Sequence, residues 1–490
     1  MDTSVNINEI SFGADTAEDD MALGLPSYFQ DTKSFEEFLN GKKYIVVGNR
    51  GSGKSAIFKK LQSRLPGGAI GIEITPDKCS YEQLSATQDM VDLGKATIGA
   101  FQAGWKYMSL VLVLKEINKR GTNLKRGSYA KIHDYLRDNH DNIQRDPVTV
   151  LATYVIRIID LLLNRGPLQL IGKPTALEKL YRLEELDFLM DDLRNAVIST
   201  PIYIFVDELD KGWDNSAVAK LFIAALLRAA EDLNRISKNI HFFVSIRRDI
   251  IENIPQQYVD LEKLRRYIQD IRWEKEEMFM MLTRRLKHFY KPLSRMKDQE
   301  SWDKVFEPTI YKQTNSFSYF LERSMMRPRE IIQFCNLCVK QHKKNNEKIN
   351  YETAAKAEIL HSKNRLEDFS REYENQYPNI RSILDSFNGR GMVWERATLE
   401  LHLIEFVINN ERIFQNWIYQ VDQNDLIRIL FEIGFMQAYI AGSVRAGRKS
   451  GSGYYSQYDL VGVDLPSVKR FRLHPIFKDA LNIKERSESA

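Results

Sequence analysis

Short strand-like segments alternate along this chain with long stretches in which apolar residues recur every three or four positions. The segments are Tyr44 to Val47, Ala69 to Ile74, Pro201 to Val206, His241 to Ile246 and a last short one, Asp270 to Trp273. Pro201 to Val206 is an unbroken apolar run, the pattern of a strand buried on both faces of a parallel sheet, and the three-to-four spacing predicts amphipathic helices between the strands. Ser34 followed by Glu37 is a capping pattern and predicts a short helix ahead of the first strand. Residues 84–119 and 148–164 read as helices joined by a basic, Gly-containing link from Lys119 to Arg126, and Ser216 to Arg235 as another. From Glu274 onward only helices are predicted at first, with Met278, Met281, Leu282, Leu286 and Phe289 on one face as core. After Trp394 the pattern changes again. Helices over 396–409, 410–419 and 424–434 precede strands at 435–440, 454–460 and 471–473, with a Gly/Ser/Arg-rich tip reaching to Gly453. Helices followed by a hairpin with a long basic tip make a winged-helix pattern.

The expected class is α/β. An αβα core spans 41–273 and carries a helical insertion at about 84–197. An N-terminal lead-in covers 1–40, a helical lid 274–345, a helical linker 346–393 and a winged-helix-like domain 394–490.

The chemistry starts where the first run ends. Gly48-Asn49-Arg50-Gly51-Ser52-Gly53-Lys54-Ser55 is followed by Ala56 and helical spacing, so the order is strand, glycine loop, helix. Glycines let backbone N–H groups converge on a polyphosphate, and the helix N-terminus adds the positive end of its dipole. Lys54 then reaches the β- and γ-phosphates of ATP, and the Ser55 hydroxyl ligates Mg²⁺. The plainer alternative is an ordinary Gly-rich turn.

The Pro201–Val206 run ends in Asp207-Glu208. A carboxylate directly after a buried strand, with a glycine-loop lysine upstream, suits Mg-nucleotide chemistry: Asp207 holds the metal and Glu208 polarises the attacking water. The alternative is a solvated acidic turn ending at Asp210. The Asp-x-x-Gly and Asn-Lys-x-Asp elements of GTP-hydrolysing switches do not accompany the pair. The next strand ends in Arg247-Arg248-Asp249, with Ser245 just before; Arg247 or Arg248 could stabilise transferring charge, or simply meet surface carboxylates. Arg327 and Arg329 flank Pro328 at a helix start, where a helical lid could reach a phosphate. Arg445, Arg448 and Lys449, with Tyr454 and Tyr455, form a tip able to meet the DNA backbone, although winged helices also serve as protein docking domains.

Composition narrows this picture little. A chain of 490 residues with 43% apolar residues is globular and suggests two to four domains, and a net charge of +4 makes any basic surface local. Three cysteines fit a reducing interior, and Cys335 and Cys338 read as buried thiols on a helix rather than half of a zinc site. The N-terminus lacks the regions of a secretion signal, and the apolar run Met108 to Leu114 stops at Lys115, so a cytoplasmic protein with no membrane partner is expected.

Taken together, Gly48 to Ser55, Phe205 to Trp213, Ser245 to Asp249 and Arg327 to Glu330 resemble the prokaryotic P-loop ATPases of the origin-recognition-like and STAND branch of AAA+ proteins. Within that group the chain is similar to stand-alone bacterial ATPases often found in mobile-element and antiphage loci. The likeness covers roughly residues 1–75 and 200–490. It implies the Asp-Glu strand beside the glycine-loop strand, a helical lid, nucleotide-dependent homo-oligomerisation or a separate effector, and Arg247 or Arg248 as sensor or finger. It also implies a nucleotide-sensing role for Arg327 or Arg329. The chain departs from the group's usual pattern in having no asparagine at the end of the 241–246 strand.

Overall fold

The computed structural model describes residues 5–75, 95–120, 126–139, 183–342, 347–410, 414, 416–442, 444–445, 448–449, 452–457 and 463–488. The chain forms two compact units, one of Asp31–Ile271 and one of Met1–Gln30 with Arg272–Ala490.

The first unit is built on five parallel strands: β1 (Ile45–Gly48), β2 (Ile70–Ile74), β3 (Ile202–Val206), β4 (Ile240–Arg247) and β5 (Ile268–Asp270). Their order is β2-β3-β4-β1-β5. The implied neighbourhood of the Asp-Glu strand and the glycine-loop strand is therefore corrected, because β4 lies between them. Val244 pairs with Val206 on one side and with Ile45 on the other, so the long apolar β4 completes the hydrogen-bond ladders of both strands. Neighbouring strands lie about 4.8 Å apart, so one intervening strand opens about 10 Å between the loops that follow β1 and β3. The fifth strand also falls earlier than Asp270–Trp273. Ile268, Gln269 and Asp270 pair with Ile45, Val46 and Val47, and Ile271 closes the ladder with a last bond to the Val47 carbonyl.

Alternation along the strands assigns the two faces. Ile202, Ile204 and Val206 of β3 and Phe242, Val244 and Ile246 of β4 join one large core with the helices Lys95–Arg120 and Ala217–Ile236. Trp105 of the first helix packs on Phe222 of the second, ring centres 4.9 Å apart. The described part of the insertion thus covers a sheet face; it also supplies the helices Arg126–Asn139 and Leu183–Ser199. The expected helix over 148–164 lies outside the described residues. On the opposite face, Phe205 and Phe243 meet Phe58 of the helix Lys54–Ser63, and Phe38 of the helix Lys33–Asn40 meets Phe243. That last helix is capped by Thr32, whose hydroxyl accepts the Phe35 N–H, so Ser34 lies inside it.

In the second unit, Met278, Met281, Leu282 and Leu286 of the helix Lys275–Phe289 are buried as the stripe predicts, with Phe289 only partly so. Residues of the N-terminal segment pack into the same core: Phe12 is fully buried, and Asp20 pairs with Arg285. Cys335 and Cys338 sit in this core on the helix Pro328–Gln341, and burial raises the pKa of both thiols.

A second core holds a second sheet, ordered β10-β7-β11-β6-β12. Its strands are β6 (Gly391–Glu395), β7 (Met436–Ile440), β10 (Gly453–Tyr455), β11 (Arg470–Leu473) and β12 (Lys484–Ser487). A small separate hairpin joins β8 (Val444–Arg445) to β9 (Arg448–Lys449). The helices Arg396–Asn409 and Gln423–Glu432 connect β6 to β7. Where 410–419 reads as a helix, the described residues form a short 3-10 turn, Asn416–Gln420.

Candidate nucleotide site

Strand β1 delivers the chain to Gly48 at the C-terminal edge of the sheet. A Cβ on Gly48 would fall 2.5 Å from the Ser52 Oγ and 3.3 Å from Ile271, so a larger residue there would have to displace the Ser52 hydroxyl. Gly51 and Gly53 hold φ of 74° and 99°, the left-handed region that side chains resist. Gly53 caps the helix Lys54–Ser63 without any side-chain hydrogen bond. No side chain of the cap therefore competes with an anion for the helix's first-turn N–H groups. Ser55 and Ala56 are half-buried in that first turn, Asn49 is half-buried, Ser52 buried and Arg50 exposed.

Lys54 curls back over the loop. Its Nζ donates to the carbonyls of Gly48 and Asn49 at 3.1 and 2.9 Å. Burial lowers its pKa, Asp210, Asp207 and Asp249 pull it back up, and Arg247 pushes it down. These influences place three carboxylates and one guanidinium around the loop lysine.

Strand geometry explains the grouping. Phe205 and Asp207 are two positions apart on the β3 line, as are Phe243, Ser245 and Arg247 on β4, so all share the face covered by the glycine-loop helix. Asp207 is buried and its Oδ1 accepts the Glu208 N–H at 2.8 Å. Glu208 itself is held at φ 60°, a conformation costing about 1–2 kcal/mol outside glycine, the kind of strain that collects at functional positions. Its carboxylate accepts from Lys211 Nζ at 2.5 Å. Arg247 is buried and forks onto Asp249 at 2.9 and 2.6 Å, with Asp210 at 3.7 Å. Arg248 instead pairs with Asp270 and, at 3.9 Å, with Glu252.

The structure thus gathers Lys54, Asp207 and Arg247 from three strand ends, and it adds Asp210, Lys211 and Asp249, which sequence reasoning gave no role. Their signal was weak: each lies within three residues of a residue already singled out, on a turn that alternation does not describe. Arg327 and Arg329 belong to the second unit. Arg327 is buried beside Glu330 and Glu372 at 3.4 and 3.5 Å, and Arg329 donates to the Asp15 carbonyl. On the β8–β9 hairpin, Arg445 is opposite Arg448 and Lys449 opposite Val444.

The Ser245 hydroxyl is buried with no hydrogen-bond partner among the described residues. Ser245→Ala is expected to leave thermal stability unchanged or raise it, since an unsatisfied buried hydroxyl costs about 1–3 kcal/mol. If Ser245 meets a bound phosphate or its water, the same variant lowers turnover; thermal melting beside phosphate release reads both.

The donors fit a magnesium nucleotide. Asp207 and Ser55 offer hard oxygens of the kind Mg²⁺ takes one or two at a time, together with phosphate and water. Among the described residues no cluster of three His, Cys, Asp or Glu side chains forms a dedicated metal cage, and Mg²⁺ bound in that way does not require one.

Fold and glycine loop together define a P-loop NTPase-type core of the α/β class. Residues 276–370 match a family described as the FunZ-associated C-terminal helical domain. The chain is 23% identical over 513 aligned positions to the "Putative transposon gamma-delta 80.3 kDa protein" of Escherichia coli (strain K12), an alignment covering 99% of this chain and 69% of that protein. A 121-residue stretch, 24% of the chain, is 30% identical to "Allergen Alt a 2" of Alternaria alternata and covers 61% of it. Among solved structures it is similar to the Walker-type ATPase PabY2304 of Pyrococcus abyssi, with TM-score 0.40 and 11% identity over 93% of this chain and 96% of that one. No helix among the described residues is long and apolar enough to cross a membrane.

Proposed function

We propose that the chain binds ATP with Mg²⁺ and hydrolyses it to ADP and phosphate, as an AAA+/STAND-like switch or assembly ATPase. The observation that carries this reading is the convergence of Lys54, Asp207 and Arg247 at three adjoining strand ends around a helix N-terminus without a side-chain cap. Lys54 releases the Gly48 and Asn49 carbonyls and turns its ammonium to the β- and γ-phosphates. Ser55 and Asp207 are the residues that would hold Mg²⁺, which supplies charge neutralisation for the phosphates. Glu208 orients a water for attack on the γ-phosphorus and takes its proton as the bond to the β-phosphate oxygen breaks. Arg247, already fixed by Asp249, faces the charge that develops on the departing phosphoryl group.

A second reading is a nucleotide-gated scaffold with little turnover that signals to a separate effector. The Glu208–Lys211 pair favours it, because a base bound by an ammonium is not free to accept a proton from water. Lys211→Met separates the two. Under the switch reading, phosphate release rises several-fold, a fraction of the roughly 10²–10⁴-fold that a positioned base contributes. Phosphate release that stays negligible in wild type and variant alike, with ATP bound, would support the scaffold.

The β6-β11-β7 order with two helices between β6 and β7 supports reading 394–490 as a winged helix, with the Arg445, Arg448 and Lys449 tip as a DNA-contacting or protein-docking element. The transposon name of the Escherichia coli relative supports a setting in mobile-element biology, and an antiphage role is part of the proposal. A homo-oligomer or a separate effector in the cytoplasm completes the proposal.

A further inference from the structure

We infer that the nucleotide unit carries a second small-ligand site at the other end of its sheet, shaped for an aromatic base bearing a phosphate. A cavity of about 650 Å³ opens there, walled by residues at the N-terminal ends of the strands: Tyr44 just before β1, Tyr203 on β3, His241 on β4 and Tyr267 before β5. His241 and Arg247 lie six positions apart on one strand, roughly 20 Å, so this cavity is distinct from the phosphate loop.

Three observations give the ligand its chemistry. Tyr203, His241 and Phe243 present near-parallel rings, tilted by only 10–20° to one another, with Tyr203 and His241 centres 4.5 Å apart. At that separation Tyr203 and His241 lie face to face across β3 and β4, a stacked platform that a nucleobase can extend by one more ring. Burial keeps His241 neutral, so the platform itself is uncharged. The rim supplies the charge: Lys42, Lys43, Arg235 and Lys238 border the cavity against the single carboxylate of Glu231. Arg235 is held by Glu231 at 2.5 Å and Lys43 donates to Gln269, while Lys42 and Lys238 stand exposed where a phosphate could meet them.

The third observation is Tyr44, stacked on Tyr267 at 4.7 Å. It is 6% exposed, and its hydroxyl has no hydrogen-bond partner among the described residues. The hydroxyl is closed to solvent, so a ligand's ring nitrogen, carbonyl or sugar oxygen pairs it only if the Tyr44 ring turns toward the cavity, and leaving a buried hydroxyl unpaired favours that turn.

The phosphorylated base could come from a free nucleoside monophosphate or from the 5′ end of a single strand. On the full chain, adenosine 5′-monophosphate is titrated by saturation-transfer NMR, and a 5′-phosphorylated, dye-labelled oligothymidylate by fluorescence anisotropy. The expected result is saturable binding of at least one probe, unchanged in Lys54→Ala and weakened about tenfold or more in Lys42→Glu/Lys238→Glu. Saturation by the monophosphate identifies a free nucleotide, and saturation by the oligomer alone identifies a strand end. Both lysines are exposed, so the double variant keeps its core. No binding of either probe up to about 10 mM, binding lost with Lys54→Ala, or binding indifferent to the rim reversal would overturn the inference.

Discussion

Lys54→Ala is expected to weaken Mg·ATP binding by about 10²–10⁴-fold and to remove measurable turnover, because a lysine reaching two phosphates makes charge-assisted hydrogen bonds of about 1.5–3 kcal/mol each. The structure adds a second consequence. The same ammonium also donates to the Gly48 and Asn49 carbonyls. Removing it leaves both to water and costs about 1 kcal/mol of stability, a loss that added ATP no longer offsets. Thermal melting with and without Mg·ATP reads both effects: the wild type shifts upward with ligand, and the variant starts lower and does not shift. An upward shift preserved in the variant would mean that the nucleotide sits elsewhere.

Glu208→Gln carries the next largest expectation. The amide keeps nearly the same size and still accepts from Lys211, so folding and ATP affinity should hold. It cannot take a proton, so phosphate release should fall by about 10²–10⁴-fold. The variant then accumulates the ATP-bound state, which makes it the sample of choice for capturing a second copy or an effector. Unchanged turnover would move the base elsewhere, with Asp210 the nearest alternative because it already acts on Lys54.

How far the sequence carries can be judged residue by residue. The Gly48–Ser55 loop was legible because its chemistry is local: strand, tight turn and helix follow one another in eight residues. Four of the five strands were legible from largely apolar segments, the fifth begins two residues ahead of the segment that suggested it, and their order was not legible. Nothing within β1, β3 or β4 says which ladder each completes, and the intervening β4 emerges only when Val244 is seen paired on both sides. Thr32 caps the helix although only Ser34 has a glutamate three residues on; three residues after Thr32 stands Phe35, whose burial fixes where the helix starts. Arg327 shows the same limit at longer range. Its position before Pro328 marks a helix start correctly, yet its partner Glu372 lies 45 residues on and joins a buried network with Arg365 that no spacing rule announces. The aromatic platform of Tyr203, His241 and Phe243 was hidden for a similar reason. Each ring looked like an ordinary strand residue, and only the β3–β4 register aligns them.

The most direct measurement is an isothermal titration of the wild-type chain with ATP, with and without Mg²⁺. The account predicts saturable one-to-one binding of Mg·ATP at the phosphate loop, weaker without the metal and lost in Lys54→Ala. No saturable binding, or binding that Lys54→Ala leaves intact, would contradict the assignment of the Gly48–Ser55 loop as a nucleotide site.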